Sequence, residues 1–169
     1  LRPLAVQVLH TAETLLQIFV YRHHPGSYKP LLYCWKVCID ILDTLYNLVN
    51  PNDGQPMAYY FLHPVSVYCG GQFPPDYREK VQTPMDFGTI TANLVEGTYQ
   101  TVEAFSNDCR LVIQNCQTYY ADRDDGKLFV EHALSLNDVL TTQLSQLARY
   151  DKSKGPAERQ KLLEQLNPN

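Results

Sequence analysis

Residues 50–85 constrain the fold more than any other stretch of the chain. Six prolines (Pro51, Pro56, Pro64, Pro74, Pro75 and Pro84) and three glycines (Gly54, Gly70 and Gly71) fall within it. A proline removes a backbone donor and fixes φ, so neither a long helix nor a central strand can run through the stretch. It is nevertheless apolar and aromatic, with Met57, Tyr59, Tyr60, Phe61, Val65, Val67, Tyr68, Phe73 and Tyr77. A solvated linker does not look like that. Connections of this length inside a compact domain are uncommon and usually functional. The expectation is a structured loop that folds back on its neighbours and lines something. Within it, residues 75–81 open on a proline and carry acids early, the composition of about two helical turns.

On both sides the apolar periodicity is helical. Over residues 3–23, Ala5, Val8, Ala12, Leu15 and Phe19 alternate spacings of three and four, Pro3 suits a first turn, and His23-His24-Pro25-Gly26 ends the run. Leu31, Trp35, Ile39, Leu42, Leu45, Tyr46 and Val49 mark one face of a helix over 31–49, stopped by the turn residues Asn50 to Gly54. A short helix is expected over 86–96, with Asp86 as N-cap, Phe87, Ile90 and Leu94 inside, and Gly97 as a left-handed stop. Val102, Phe105, Cys109, Val112, Ile113, Cys116 and either Tyr119 or Tyr120 line a helix over 101–120. A tight acidic loop follows over 121–126. The last core helix, 127–151, carries Phe129, Ala133, Leu136, Leu140, Leu144 and Leu147 on one stripe. Lys154-Gly155-Pro156 is expected to end it, with a further short helix over 157–166. Strand signals at 59–61 and 65–68 are too short and too proline-bounded to build a sheet. The fold class is therefore all-α: four core helices, a long structured loop between the first and second, and a helical extension at each end. The boundaries are an N-terminal extension over 1–30, a core domain over 31–151 and a C-terminal tail over 152–169.

Charge and cysteines exclude several classes of function. The net charge is −4 at 169 residues, which argues against a general nucleic-acid binder and leaves room for a basic peptide. Hydrophobic residues make up 44% and charged residues 19%, a globular balance. The five cysteines are odd in number and include no CxxC, so they read as reduced thiols in a reducing compartment. No apolar run approaches ~18 residues, so no membrane span is expected. Residues 1–16 lack the small-residue cleavage site of a signal peptide. The chain begins without Met and reads as a piece of a longer protein.

Catalytic and metal patterns fail one by one. Asp122-Arg123-Asp124-Asp125-Gly126 departs from a calcium loop, because its glycine comes at the fifth position and no glutamate closes the loop. Cys116 and His132 suggest a thiol–imidazole pair but lack an orienting third group. Cys34 and Cys38 are one turn apart with no histidine at ligand spacing. Carboxylates are scattered singly, and there is no phosphate loop or nucleophile elbow. No catalytic residue, metal or cofactor is expected. One constellation stands out. If the loop folds over the bundle end, Phe61, Pro64, Val65, Pro74 and Tyr77 face Cys116, Tyr119 and Tyr120. They would wall a small pocket for a slender apolar group with one polar tip. The same aromatics could equally fill a core beneath the loop, and pattern alone does not separate the two.

Several of these pieces, in order, resemble the bromodomain, a four-helix module that reads acetylated lysine. Tyr60-Phe61-Leu62-His63-Pro64-Val65 resembles its aromatic shelf, and Pro75-Asp76-Tyr77 its Pro-Asp-Tyr. Thr83-Pro84-Met85-Asp86-Phe87-Gly88-Thr89-Ile90 resembles its Pro-Met-Asp signature. Tyr99, Phe105, Asp108, Arg110-Leu111, Asn115-Cys116 and Tyr119 complete the series over about residues 31–150. The resemblance implies a left-handed four-helix bundle. It implies that Tyr77 orders a water against the acetyl carbonyl, and that the position of the carbonyl-binding asparagine is Tyr120. It also implies a gate near Gly126, Lys127 or Leu128, the last two being counted with the site. Tyr120 is the departure that matters, because a phenol donates from a tip several ångströms beyond an amide. A longer loop at Cys69-Gly70-Gly71, and Gln72 on the shelf, are lesser departures.

The reading is an atypical, non-catalytic module of a nuclear chromatin or transcription protein. It would bind acetylated lysine weakly in histone or other basic peptides, within a larger complex, with no nucleic-acid or membrane contact. The alternative is a bromodomain-fold scaffold that has lost acetyl-lysine binding and docks other proteins.

Overall fold

The first core helix, α1, runs Tyr28–Tyr46 and turns Trp35, Cys38, Ile39, Leu42, Leu45 and Tyr46 inward at helical spacing. The structure is a computed structural model that describes residues 28–165, with side chains described over 35–148. The helix expected over 3–23 lies outside the described residues. α1 stops three residues short of the expected end because the chain pairs with itself. Val49 bridges antiparallel to Pro56. The Met57 N–H donates to the Leu48 carbonyl at 2.9 Å, and the Asn50 N–H to the Gln55 carbonyl at 2.8 Å. Asn50 Oδ1 also accepts from the Asn52 N–H at 3.0 Å, which tightens the turn.

The long loop is built from one-turn pieces: a 3-10 turn at Tyr59–Phe61, helix α2 at Val65–Tyr68 and helix α3 at Tyr77–Lys80. α3 is one turn where two were expected. Val81 is already extended, and Thr83 precedes Pro84, which disfavours helix at that position. Helix α4, Phe87–Val95, starts on the expected cap, with Asp86 Oδ1 accepting from the Thr89 N–H at 2.8 Å. It ends at Gly97, whose φ of +76° few other residues adopt. Helix α5, Val102–Tyr120, is capped by Thr101 and buries Phe105, Cys109, Val112, Ile113, Cys116 and Tyr119. A 3-10 turn at Asp124–Gly126 leads into helix α6, Lys127–Gln165.

α6 corrects one expectation. The helix does not end at Lys154-Gly155-Pro156 but continues through them to Gln165. A proline forfeits one backbone hydrogen bond, and a long helix with turns on both sides tolerates that loss. The described residues contain no strand, and the architecture is the expected all-α bundle of α1, α4, α5 and α6. α5 is central, packing on α6, α4 and α1, while α1 also packs on α6. Phe87, Ile90, Leu94, Phe105, Cys109, Leu136 and Leu140 meet in the middle, each at most 1% exposed. Most polar groups in this core are paired; the exception among the described residues is the buried His132 Nδ1, which has no partner. The Trp35 indole N–H donates to the Leu94 carbonyl at 2.7 Å, and the Tyr46 hydroxyl lies 2.7 Å from Thr91 Oγ1 and 3.0 Å from the Phe87 carbonyl. A second, smaller cluster of Tyr77, Val81 and Tyr119, with Val65, Phe73 and Tyr120 against it, sits where the loop crosses the end of α5.

Candidate functional site

Two connections meet over the end of α5: the loop between α1 and α4, and the short turn between α5 and α6. Between them lies a cavity of about 240 Å³. That is just below the ~300 Å³ lower end of ordinary ligand pockets and suits a short, slender group. Phe61 and Val65 form one wall. Val112 and Cys116 from α5 lie deep, and Tyr77, Tyr119, Tyr120 and Phe129 complete the sides.

The aromatic rings make a nearly continuous belt. Phe73 stacks on Tyr77 (5.2 Å between centroids), and Tyr77 meets Tyr119 at 5.0 Å. Tyr119 meets Tyr120 edge-on at 4.9 Å, and Tyr120 stacks on Phe129 at 5.3 Å and 23°. Phe129 meets Tyr60 at 5.0 Å, which in turn meets Tyr68 at 6.0 Å. The belt therefore runs from the long loop through α5 to α6 and back to the long loop. Tyr120 is the link between α5 and α6.

Arg123 locks the two connections together. Its Nη1 lies 3.2 Å from Asp76 Oδ2 and donates to the Tyr119 hydroxyl at 3.0 Å, and that hydroxyl donates to Asp76 Oδ1 at 3.2 Å. Its other nitrogens grip both oxygens of Asp125, at 3.1 and 3.0 Å, and its charge lies 4.9 Å above the Tyr119 ring. The hydrogen bonds from Arg123 hold the Asp125 carboxyl below its usual range.

Neither the Tyr77 nor the Tyr120 hydroxyl has a hydrogen-bond partner among the described residues, and neither oxygen is sealed from its surroundings. Burial pushes both phenols up to about 12, so both are protonated donors at neutral pH. Burial also pushes the Cys116 thiol up to about 12, the opposite of the activation a nucleophile needs. His132 does not serve that thiol; its Nε2 lies 3.5 Å from Asn50 Nδ2.

Of the residues expected at the site, Phe61, Val65, Tyr77, Cys116, Tyr119 and Tyr120 line the cavity. Four do not. Pro64 is exposed where α2 begins, and Pro74 is half-buried with its carbonyl accepting from the Tyr77 N–H at 3.0 Å. Lys127 and Leu128 are exposed on the first turn of α6, whose rotation brings Phe129 inward instead. Gly126, next to them, is buried against Tyr120. Tyr68, Met85, Asp86, Asn115 and Phe129 line the cavity beyond expectation. Phe129 was legible as the first member of the α6 stripe. Tyr68 was not, because a one-turn helix between prolines has no period. Asn115 carries a structural duty, its Nδ2 donating to the Thr83 carbonyl at 2.8 Å and so tying the Pro84-Met85-Asp86 segment to α5.

Bundle and cavity define a helical module with one small, aromatic-walled pocket at its end. Residues 45–126 match the family model of the bromodomain, and through that segment the chain belongs to the bromodomain family. The chain is 44% identical over 68 residues to the Gallus gallus bromodomain adjacent to zinc finger domain protein 2B, covering 40% of this chain and 3% of that protein. It is 31% identical over 129 residues to Saccharomyces cerevisiae bromodomain-containing factor 2, covering 72% of this chain and 19% of that protein. Over 82 residues it is 38% identical to the Arabidopsis thaliana transcription factor GTE2, covering 48% of this chain and 14% of that protein. The chain thus spans less than a fifth of the length of each of these relatives.

Proposed function

We propose that this domain is a non-catalytic binding module of a nuclear chromatin- or transcription-associated protein, and that it takes an acetylated lysine of a basic peptide into the cavity. The observation that carries this reading is that the cavity stays open with Tyr120 in place and offers two unpaired phenols, Tyr77 and Tyr120. Acetylation removes the lysine charge, so the side chain can enter an apolar space without the cost of burying an ammonium. The acetyl carbonyl then needs donors, and the two phenols supply them, directly or through a water. A neutral hydrogen bond contributes about 0.5–1.5 kcal/mol net, so binding is weak. The bromodomain match and the relative named as a transcription factor support the setting. Acetylated histone tails within a larger complex are the natural partners. The residues we assign to the ligand are Phe61, Val65, Tyr77, Cys116, Tyr119 and Tyr120.

A second reading has its own observation. Tyr59, Tyr60, Val67 and Tyr68 expose 36–57% of their surface on one loop, a face suited to docking another protein without any acetyl group. Calorimetric titration with one histone-tail peptide, acetylated and unmodified, separates the two. Our reading expects binding only of the acetylated form, with Kd on the order of 0.1–1 mM. Equal binding of both forms, or of neither, favours the scaffold.

A further inference from the structure

The place of the Tyr120 ring depends on a side chain that is absent. Gly126 is buried, and its φ is not in the left-handed region, so its own backbone conformation does not require glycine. What requires it is Tyr120. A Cβ at position 126 would stand 2.7 Å from the Tyr120 Cβ and overlap its ring carbons Cγ and Cδ1. The overlap falls at the root of the tyrosine side chain, not at a tip that can swing aside. On its other flanks the ring is held by Phe129 and Tyr119. It also borders a second, outward-facing cavity lined by Gln117, Asp122, Lys127 and Glu131, so it is the partition between that groove and the ligand cavity.

We infer that Tyr120 and Gly126 act as one specificity-determining unit, in which the bare backbone at 126 seats the Tyr120 ring as the pocket's side wall. Gly126 is a positioning residue: it touches no ligand and acts through the ring. An amide at 120 alone would leave the wall open to the outer groove, so converting this pocket to a conventional one takes changes at both positions. The ring's seating stands on geometry alone, whereas its consequence for a ligand rests on the acetyl-lysine reading.

The test is a mutant cycle of the parent, Gly126→Ala, Tyr120→Ala and the double variant. It is read by melting midpoint and, for the parent and Gly126→Ala, by the NMR shifts of the Tyr120 and Phe129 rings. Gly126→Ala in the parent is expected to lower the midpoint by about 5 °C and to move both rings' shifts towards unstacked values. With the Tyr120 ring removed, the same substitution should cost less than half as much. A titration with acetylated peptide should show at least tenfold weaker binding to Gly126→Ala. Equal midpoint losses in the two backgrounds, with the Tyr120 shifts unmoved, would overturn the unit. If the parent binds no acetylated peptide, the acetyl-lysine reading fails, and the midpoints and ring shifts still decide whether 120 and 126 are coupled.

Discussion

Tyr46 and Tyr99 sit in the bundle core, while Tyr77 and Tyr120 sit at its end. Burial raises all four phenols, so acidity does not distinguish them. Pairing does. Tyr46 shares its hydroxyl with Thr91 and the Phe87 carbonyl, and Tyr99 donates to Asp108 at 2.6 Å. The end pair have no partner among the described residues. A core pairs nearly all of its buried polar groups, because an unmet donor costs the full desolvation of that group, and here only His132 Nδ1 among the described residues goes without. A binding site holds donors back for what it binds. The same residue type therefore locks the fold in one region and, on our reading, serves a ligand in the other.

The largest expected effect confines itself to the core. Leu136→Ala should cost about 2–5 kcal/mol in chemical denaturation while leaving the peptide affinity of the folded fraction unchanged. The matched pair Tyr46→Phe and Tyr77→Phe comes next and probes the contrast directly. Losing the Tyr46 hydroxyl removes its buried contacts with Thr91 Oγ1 and the Phe87 carbonyl, which keep their own bond at 2.8 Å, and should cost about 0.5–1.5 kcal/mol of stability for each hydrogen bond lost. Losing the Tyr77 hydroxyl should change stability by less than about 1 kcal/mol yet weaken acetylated-peptide binding about tenfold, one hydrogen bond's share. Similar stability losses for both would erase the distinction.

The bundle and the place of the cavity were legible in the sequence, whereas the pairing of the hydroxyls was not. Helical periodicity placed α1, α4 and α5, and Asp86 and Gly97 marked the ends of α4, because caps and stops depend on local backbone chemistry. Six of the ten expected site residues converge on the cavity, because the loop had too many rings to stay in water. The misses have physical causes. Helical phase at the start of α6 turns Lys127 and Leu128 outward and Phe129 inward, which a one-residue uncertainty in register hides. The contact between Gly126 and Tyr120 is a close approach in space. The continuity of α6 through Pro156 reflects tolerance of one lost backbone bond, which a breaker rule does not weigh.

Smaller effects sharpen the picture. Arg123→Ala unties the two connections, but the arginine reaches solvent, so screening keeps the loss of stability small. That loss should shrink in high salt, a dependence that melting curves at two ionic strengths would reveal. The last effect appears only at alkaline pH. Tyr77 and Tyr120 rise from 10.0 to about 12 on folding, and Cys116 from 9.0 to about 12. The unfolded chain therefore releases these protons first. Their contribution is fully present below pH 9 and is lost as pH rises towards 12. Tyr77→Phe and Tyr120→Phe should each flatten the fall of the melting midpoint between pH 9 and 11, and unchanged slopes would mean that the phenols are not buried as described.

The most direct measurement is an NMR search for intermolecular contacts between the methyl group of an acetyl-lysine peptide and the protein. The account predicts nuclear Overhauser effects from that methyl to Phe61, Val65 and Cys116, with shift changes at Tyr77 and Tyr120. Shift changes confined to the exposed Tyr59 and Val67, which do not line the cavity, with no contact inside it, would contradict it.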